Sequence, residues 1–268
     1  VCIFPNDPIL AYYNKGEIKE RYYNPNNFFD EIHIISLTEK DIDESLVQTI
    51  VGNAKLKIHS VGKINLKNRK SGFEKIEKIV NEIKPDVIRA YSPYLTGWFA
   101  AKCAKNLKIP FYLSLHTNYQ YNKTNIKKTN LKKYFSFKFT EKFIEPYVLK
   151  HADKITIVYK IIEPYVLKHG GRKPEVVYNK IDFKKFENAT PKNDLDKPLI
   201  ISVGNLIPEK NHECLIQAME NIDANLIIIG NGVRYNFLTN LIEKKKLQNK
   251  IKIIKSVPHD EIPRYYKS

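Results

Sequence analysis

PLIISVGNLIPEKNHECLIQAM, residues 198–219, is the stretch on which the fold turns. Its residues 199–203 are apolar on both faces, as a buried parallel strand must be. A glycine-containing turn follows and leads into a predicted helix over 211–220. Open α/β sheets bind ligands at such a place, beyond the carboxyl ends of their strands. Lys210 falls at or just before the first helical turn, where a cation opposes the helix macrodipole by roughly a few tenths of a kcal/mol. A bound anion would remove that conflict, with Gly204 letting backbone approach and helix amides meeting phosphate oxygens. A solvated lysine partly balanced by Glu209 accounts for the residue equally well.

Toward the C-terminus the pattern continues as strand 225–229, helix 233–246, strand 251–254 and a short helix 259–266. Between the second strand and its helix, IIIGNGVR (227–234) sets Gly230 and Gly232 around Asn231. Tyr235 stands where a dinucleotide fingerprint would have its third glycine, so the pair reads first as a strand-to-helix turn. Arg234 puts a second cation in a first helical turn. Three strands and three helices make half of a six-stranded doubly wound sheet, so this domain is expected to be incomplete at Ser268.

Toward the N-terminus, ENATPKNDLDKP (187–198) has two prolines and no apolar period, and reads as a linker. Before it, strands are predicted at 1–4, 31–36, 56–61, 86–90, 110–115, 154–158 and 175–178, alternating with helix-period segments as in βαβ units. Phe73, Ile76, Val80 and Ile83 predict a crossover helix over 72–84, stopped by Pro85. Ser92 and Pro93 predict the N-cap and first position of the next helix. The octapeptide IEPYVLKH occurs at 144–151 and again at 162–169. That offset is too short for a solenoid, so it reads as a likeness between two helix ends, the second capped by Gly170-Gly171. The expected class is α/β with two doubly wound, Rossmann-like domains, 1–186 and an incomplete 199–268, joined by 187–198.

Composition narrows the partners. The 45 basic and 29 acidic side chains give +16, with 33 against 20 of them before Pro191. Only six of the cations are arginine, whereas readers of base edges and phosphate clamps favour the guanidinium fork. Nucleic acid is therefore not the expected partner, and anionic small molecules or an anionic membrane surface suit the lysine field. Cys2, Cys103 and Cys214 are far apart and read as core thiols without disulfides. No apolar run is long enough to span a bilayer, and VCIFPND has no leader character, so a cytoplasmic protein is expected. Residues 122–143 hold seven lysines and one glutamate, with Leu131, Phe135, Phe139 and Phe143 four apart. This segment reads either as an amphipathic helix docked on its own domain or as one lying on an anionic bilayer.

In PFYLSLHTNYQY (110–121), His116 directly follows an apolar strand, where an imidazole donates or accepts near neutral pH; a structural histidine is the alternative. The other six histidines show no metal spacing, and no metal site is expected.

Taken together, SLHT (114–117), the Ala152-Asp153 pair leading into KITIV, EVVYNKID (175–182), ISVGNLIPEKNHECLIQAM (201–219), LIIIGNGVR (226–234) and SVPHDEIPRYY (256–266) resemble the retaining glycosyltransferases of the GT-B fold, family 4. The resemblance covers about nine-tenths of the chain. It implies two facing Rossmann-like domains, a nucleotide-sugar on the C-terminal one and a glycan or lipid-linked acceptor on the N-terminal one. By this resemblance Lys210 meets the donor diphosphate, Gly204 precedes it, His116 reaches the donor sugar, Gly230 and Gly232 lie near the nucleotide, and the backbone of Val257 meets the base. Asn179 and Asp182 match a segment before the linker.

Three departures stand out. Asn205 occupies a place that is usually arginine, so one phosphate cation is missing. The N-terminal Gly-Gly loop is replaced by a segment in which Lys15 and Gly16 are the nearest substitutes. A pair of glutamates that holds donor sugar and ribose belongs past Ser268, so the chain is expected to be inactive by itself. The implied activity is transfer of a hexose to a hydroxyl acceptor with retention. The rivals are a non-catalytic membrane- or polyanion-binding protein on this fold and a sugar-nucleotide epimerase.

Overall fold

The computed structural model describes residues 1–64, 68–119, 131–179, 181, 183–192 and 198–268, and its contacts divide the chain into two units, Val1–Asn179 and Lys180–Ser268. Lys180, Asp182, the middle of the linker stretch and residues 122–130 of the basic segment lie outside the described residues.

In the first unit the elements are β1 (Cys2–Phe4), α1 (Ile9–Asn14), β2 (Glu31–Ser36), β3 (Lys55–Ser60), α2 (Arg69–Ile83), β4 (Ile88–Ala90), α3 (Leu95–Leu107), β5 (Phe111–Leu115), α4 (Leu131–Phe139), α5 (Glu145–His151), β6 (Lys154–Ile157), α6 (Glu163–Lys168) and β7 (Glu175–Val176). The strands form one parallel sheet in the order β3-β2-β1-β4-β5-β6-β7. Strand alternation sends Cys2 and Phe4 into the larger core, with Phe99, Phe111 and Leu113, while Ile3 points into a second cluster with Ile32, Ile34 and Tyr23. The sheet order reverses direction between β1 and β4, and the carboxyl ends of β4 and β5 lie beside that switch.

Two helix starts differ from the sequence reading. α2 begins at Arg69, before its apolar stripe, because the Gly72 amide already closes a turn on the Asn68 carbonyl at 2.8 Å. α3 begins at Leu95 rather than Pro93. The Ser92 hydroxyl accepts from the Tyr94 amide at 3.2 Å, and the Ser92 carbonyl lies 1.9 Å from where a Cβ on Gly97 would sit. The chain thus crosses the first turn before it winds. β7 is a two-residue edge, extended by one amide from Val177 to the Ile157 carbonyl.

The repeated octapeptide builds α5 and α6. In both copies the histidine Nδ1 lies 2.8 Å from the carbonyl four residues back, His151 to Tyr147 and His169 to Tyr165. The copies also meet, since Tyr165 donates to the wholly buried Glu145, which also accepts from Thr140 at 3.0 Å. Along α4 and the turn after it, Phe135, Phe139 and Phe143 are 67%, 52% and 55% exposed, so they are not docked on their own domain as one reading of this segment has it.

The second unit contains α7 (Phe183–Glu187), β8 (Leu199–Val203), α8 (His212–Ala218), β9 (Asn225–Ile229), α9 (Tyr235–Lys244), β10 (Ile251–Ile254) and α10 (Ile262–Lys267). α7, joined by the sequence reading to the first domain, packs here: Phe186 lies 6.0 Å from the Tyr266 ring, and Lys185 pairs with Asp260 at 3.1 Å. The parallel sheet has the order β10-β9-β8. β9 is buried over Leu226–Ile229, whereas every residue of β8 keeps some exposure, as befits an edge. Cys2 and Cys103 are buried, but Cys214 is exposed on α8, contrary to its reading as a core thiol. It falls on the helix face opposite Ile216 and Met219, which reach the core. No helix among the described residues is long and apolar enough to cross a membrane.

Candidate functional site

Two turns meet beyond the carboxyl ends of β8 and β9. The Gly204 amide donates to the Ile229 carbonyl at 2.9 Å, Leu206 to Asn231 at 2.9 Å, and Arg234 back to Leu206 at 3.0 Å. Gly230 is glycine for a steric reason, since a Cβ there would lie 1.9 Å from the Gly204 carbonyl oxygen. At Gly232 the Leu206 backbone would be 2.6 Å away. The two glycines therefore fit the turns to one another, and the ordinary-turn reading of G-N-G is sufficient for them.

Lys210 ends a 3-10 turn, Pro208–Lys210, just ahead of α8. Its side chain lies over Gly204, with Cε 3.6 Å from where a Cβ on that glycine would stand. It is exposed and forms no ion pair with a carboxylate among the described residues. Arg234 is spoken for: Nη2 is 2.8 Å from Glu213 and the guanidinium lies 4.1 Å from the Phe237 ring centre. Asn205 is exposed at the turn, its carbonyl accepting from Ile207 at 2.9 Å. Val257 follows β10 and packs with Ile227, Ile229 and Tyr265. Of the residues read from the sequence, Gly204, Asn205, Lys210, Gly230 and Gly232 are thus brought into one loop pair.

His212 was not singled out. It is buried at the start of α8, and its Nδ1 has no partner among the described residues. Burial, then the neighbouring Lys210, holds its pKa below the ordinary histidine value. It borders a cavity of about 10 Å³ shared with Ile207, Pro208, Asn211, Glu213 and Arg234, close to the space of one water molecule.

In the first unit His116 leaves β5 at its carboxyl end, half-buried, its ring 5.5 Å from Tyr91. Burial, then the Arg89 charge, holds its pKa below the usual range, so at neutral pH it is an uncharged imidazole that both donates and accepts. Arg89 itself escaped the sequence reading. Its signal lay in DVIRA, where Ile88 and Ala90 go to the core and the residue between must face the other way.

The model described as Glycosyltransferase Family 4 matches residues 30–185, and that described as Glycosyl transferases group 1 matches residues 183–268. An uncharacterized glycosyltransferase of Methanocaldococcus jannaschii is 26% identical over 180 residues, 67% of this chain and 46% of that protein, so the chain spans about half of that relative's length. Among solved structures, the apo lipopolysaccharide outer core galactosyltransferase WaaB superposes with a TM-score of 0.68 at 14% identity, over all of this chain and 71% of that one. HepE of Anabaena, in complex with UDP and glucose, gives 0.65 at 15% identity, over 98% of this chain and 70% of that one. The fold these structures share with the chain is GT-B.

Proposed function

We propose, from the premise that this chain belongs to glycosyltransferase family 4, that the whole protein transfers a hexose from a nucleoside diphosphate to a hydroxyl of a glycan or lipid-linked acceptor, with retention at the anomeric carbon. The observation that carries this reading is the unpaired ammonium of Lys210 over Gly204, beside a helix start at the carboxyl edge of a parallel sheet. As the glycosidic bond to the diphosphate breaks, negative charge grows on the leaving phosphate. A positioned cation and backbone amides stabilise that charge without reorganising, and no divalent metal is required for the role. Retention follows if the acceptor attacks the face from which the diphosphate leaves. His116, neutral at working pH, suits positioning of sugar hydroxyls better than supplying a charge.

HepE with its UDP and glucose supports a nucleotide-sugar donor. Lys210→Ala should weaken nucleoside diphosphate binding by about 1.5–3 kcal/mol, the range for hydrogen bonds to charged groups. Calorimetry on the folded variant with unchanged affinity would remove the phosphate assignment. The carboxylates that the family resemblance assigns to the donor sugar fall past Ser268, so residues 1–268 alone should bind nucleotide without transferring sugar.

The exposed phenylalanines favour a further part of the reading: peripheral contact of a cytoplasmic enzyme with an anionic bilayer. Phe139 and Phe143 pack ring to ring at 5.0 Å and remain open on the outer side, with Lys138 and Lys142 next to them. Aromatic side chains buried at the acyl boundary and lysines at the headgroups match such a helix. Co-sedimentation with phosphatidylglycerol vesicles should be lost when all three phenylalanines are changed to serine. A protein that binds vesicles and no nucleotide would instead be the non-catalytic rival.

A further inference from the structure

The face of β4, β5 and β6 opposite the main core is polar. Arg89 stands in register with Tyr112, and Ser114 with Thr156. Arg89 Nε and Nη2 both donate to the Ser114 hydroxyl, at 3.3 and 3.1 Å. The guanidinium carbon lies 4.7 Å from the Tyr91 ring centre and 4.9 Å from that of Tyr112. These neighbours are themselves fixed. Thr156 donates to Ser114 at 3.3 Å, its hydroxyl is 2.9 Å from that of Tyr112, and the Tyr91 ring is buried with Tyr22 stacked on it at 6.2 Å.

This clamp orients the charge and leaves it unneutralised. No carboxylate pairs with Arg89 among the described residues, and Nη1 has no acceptor there. Arg89 is half-buried, and two aromatic faces and one hydroxyl offset only part of the cost of its partial desolvation. The choice of residue carries weight as well, because this chain places arginine at six positions against 39 lysines. A planar fork held between two rings is the group for binding two oxygens of one anion, which a lysine does not reproduce. Arg89 also lies close enough to His116 for its charge to act on that imidazole.

We propose that Arg89, held between Tyr91 and Tyr112, is an anion-binding residue that receives a phosphate or carboxylate group carried by the acceptor beside His116. Its assignment to the acceptor rests on the transferase reading above; the anion site itself does not.

The test reads His116 by NMR in the whole protein, with inorganic phosphate, then phenyl phosphate and benzoate, as probes. The titratable and charged groups about the imidazole are Arg89 and the phenols of Tyr91 and Tyr119, both phenols pushed up by burial. An anion on Arg89 cancels the charge that disfavours imidazolium, so the His116 pKa should rise saturably with phosphate. Arg89→Gln should raise it without phosphate and abolish the response, and Arg89→Lys should bind the probe at least tenfold more weakly. Tighter binding of phenyl phosphate than of benzoate assigns a phosphate on the acceptor, and the reverse a carboxylate. An unchanged His116 titration with every probe, or a full response in Arg89→Gln, overturns the site. If Arg89→Gln does not fold, Arg89→Lys and the unaltered protein decide the question alone. Loss of the transferase reading with a persisting phosphate response would leave the site and remove only its assignment to the acceptor.

Discussion

The carboxyl ends of the two sheets solve the same problem in opposite ways. Beyond β4 and β5, the candidate side chains are held: Arg89 lies between two rings, and His116 rests against Tyr91. Beyond β8 and β9 the backbone is held instead, one turn closed on the other through Gly204, Leu206 and Gly230, while Lys210 has no ion-pair partner among the described residues. A diphosphate is recognised largely by amides and net charge, so on the proposed reading a fixed backbone with one ammonium laid over it suffices. Sugar and acceptor groups are told apart by direction, which requires side chains already in place.

The largest expected effect breaks the backbone half of this contrast. Gly230→Val puts a side chain onto the Gly204 carbonyl, where neither backbone yields, and should cost roughly 3 kcal/mol of stability in a denaturant melt. Normal stability with lost nucleotide binding would mean that the glycine serves the ligand rather than the neighbouring turn. Next comes the side-chain half. His116→Ala should lower turnover about tenfold to a hundredfold and leave nucleoside diphosphate affinity nearly unchanged, because it lies on the other sheet from Lys210. A proportional fall in nucleotide affinity at constant turnover per bound donor would misplace it.

The smallest effect concerns a pair away from either turn. His33 Nδ1 lies 2.9 Å from His59 Nε2, with the rings stacked at 5.2 Å and His33 Nε2 3.3 Å from Glu31. Burial leads in holding both pKa values below the ordinary one. The unfolded chain then binds more protons than the folded one below about pH 6.5, so stability is complete above that value and falls as the pH drops through it. Melting temperature against pH should show this slope, and His59→Gln should flatten it. An equal slope in the variant would place the acid sensitivity elsewhere.

Parallel strands leave a strong mark in the chain as short apolar runs, even where, as in β8, the strand is a partly exposed edge. EIHIIS, PLIISV, NLIII and IKII lie where their apolar runs place them, with β2, β8, β9 and β10 spanning the expected residues. Boundaries set by hydrogen bonds were less visible. The start of α3 depends on where the Ser92 hydroxyl and carbonyl turn, and apolar periodicity does not record that. α7 reads as part of the first domain by position, yet its contacts run to α10, far along the chain.

The same division runs through the site. Glycine, lysine and the strand–turn–helix order of 198–219 are local features, and a local reading reaches Gly204 and Lys210. Arg89 looks in sequence like any polar residue in a short strand. Its rings and hydroxyl come from β5 and from the residue after β4, and the reversal of sheet order at β1 and β4 sets where those strand ends lie. Chain order determined the elements and the cation of the 204–210 turn, because helix and strand periods are properties of neighbours. Only the tertiary structure decided which charges are paired, as with Arg234 on Glu213, and which have no carboxylate partner among the described residues, as with Arg89, since pairing depends on distances that sequence separation does not contain.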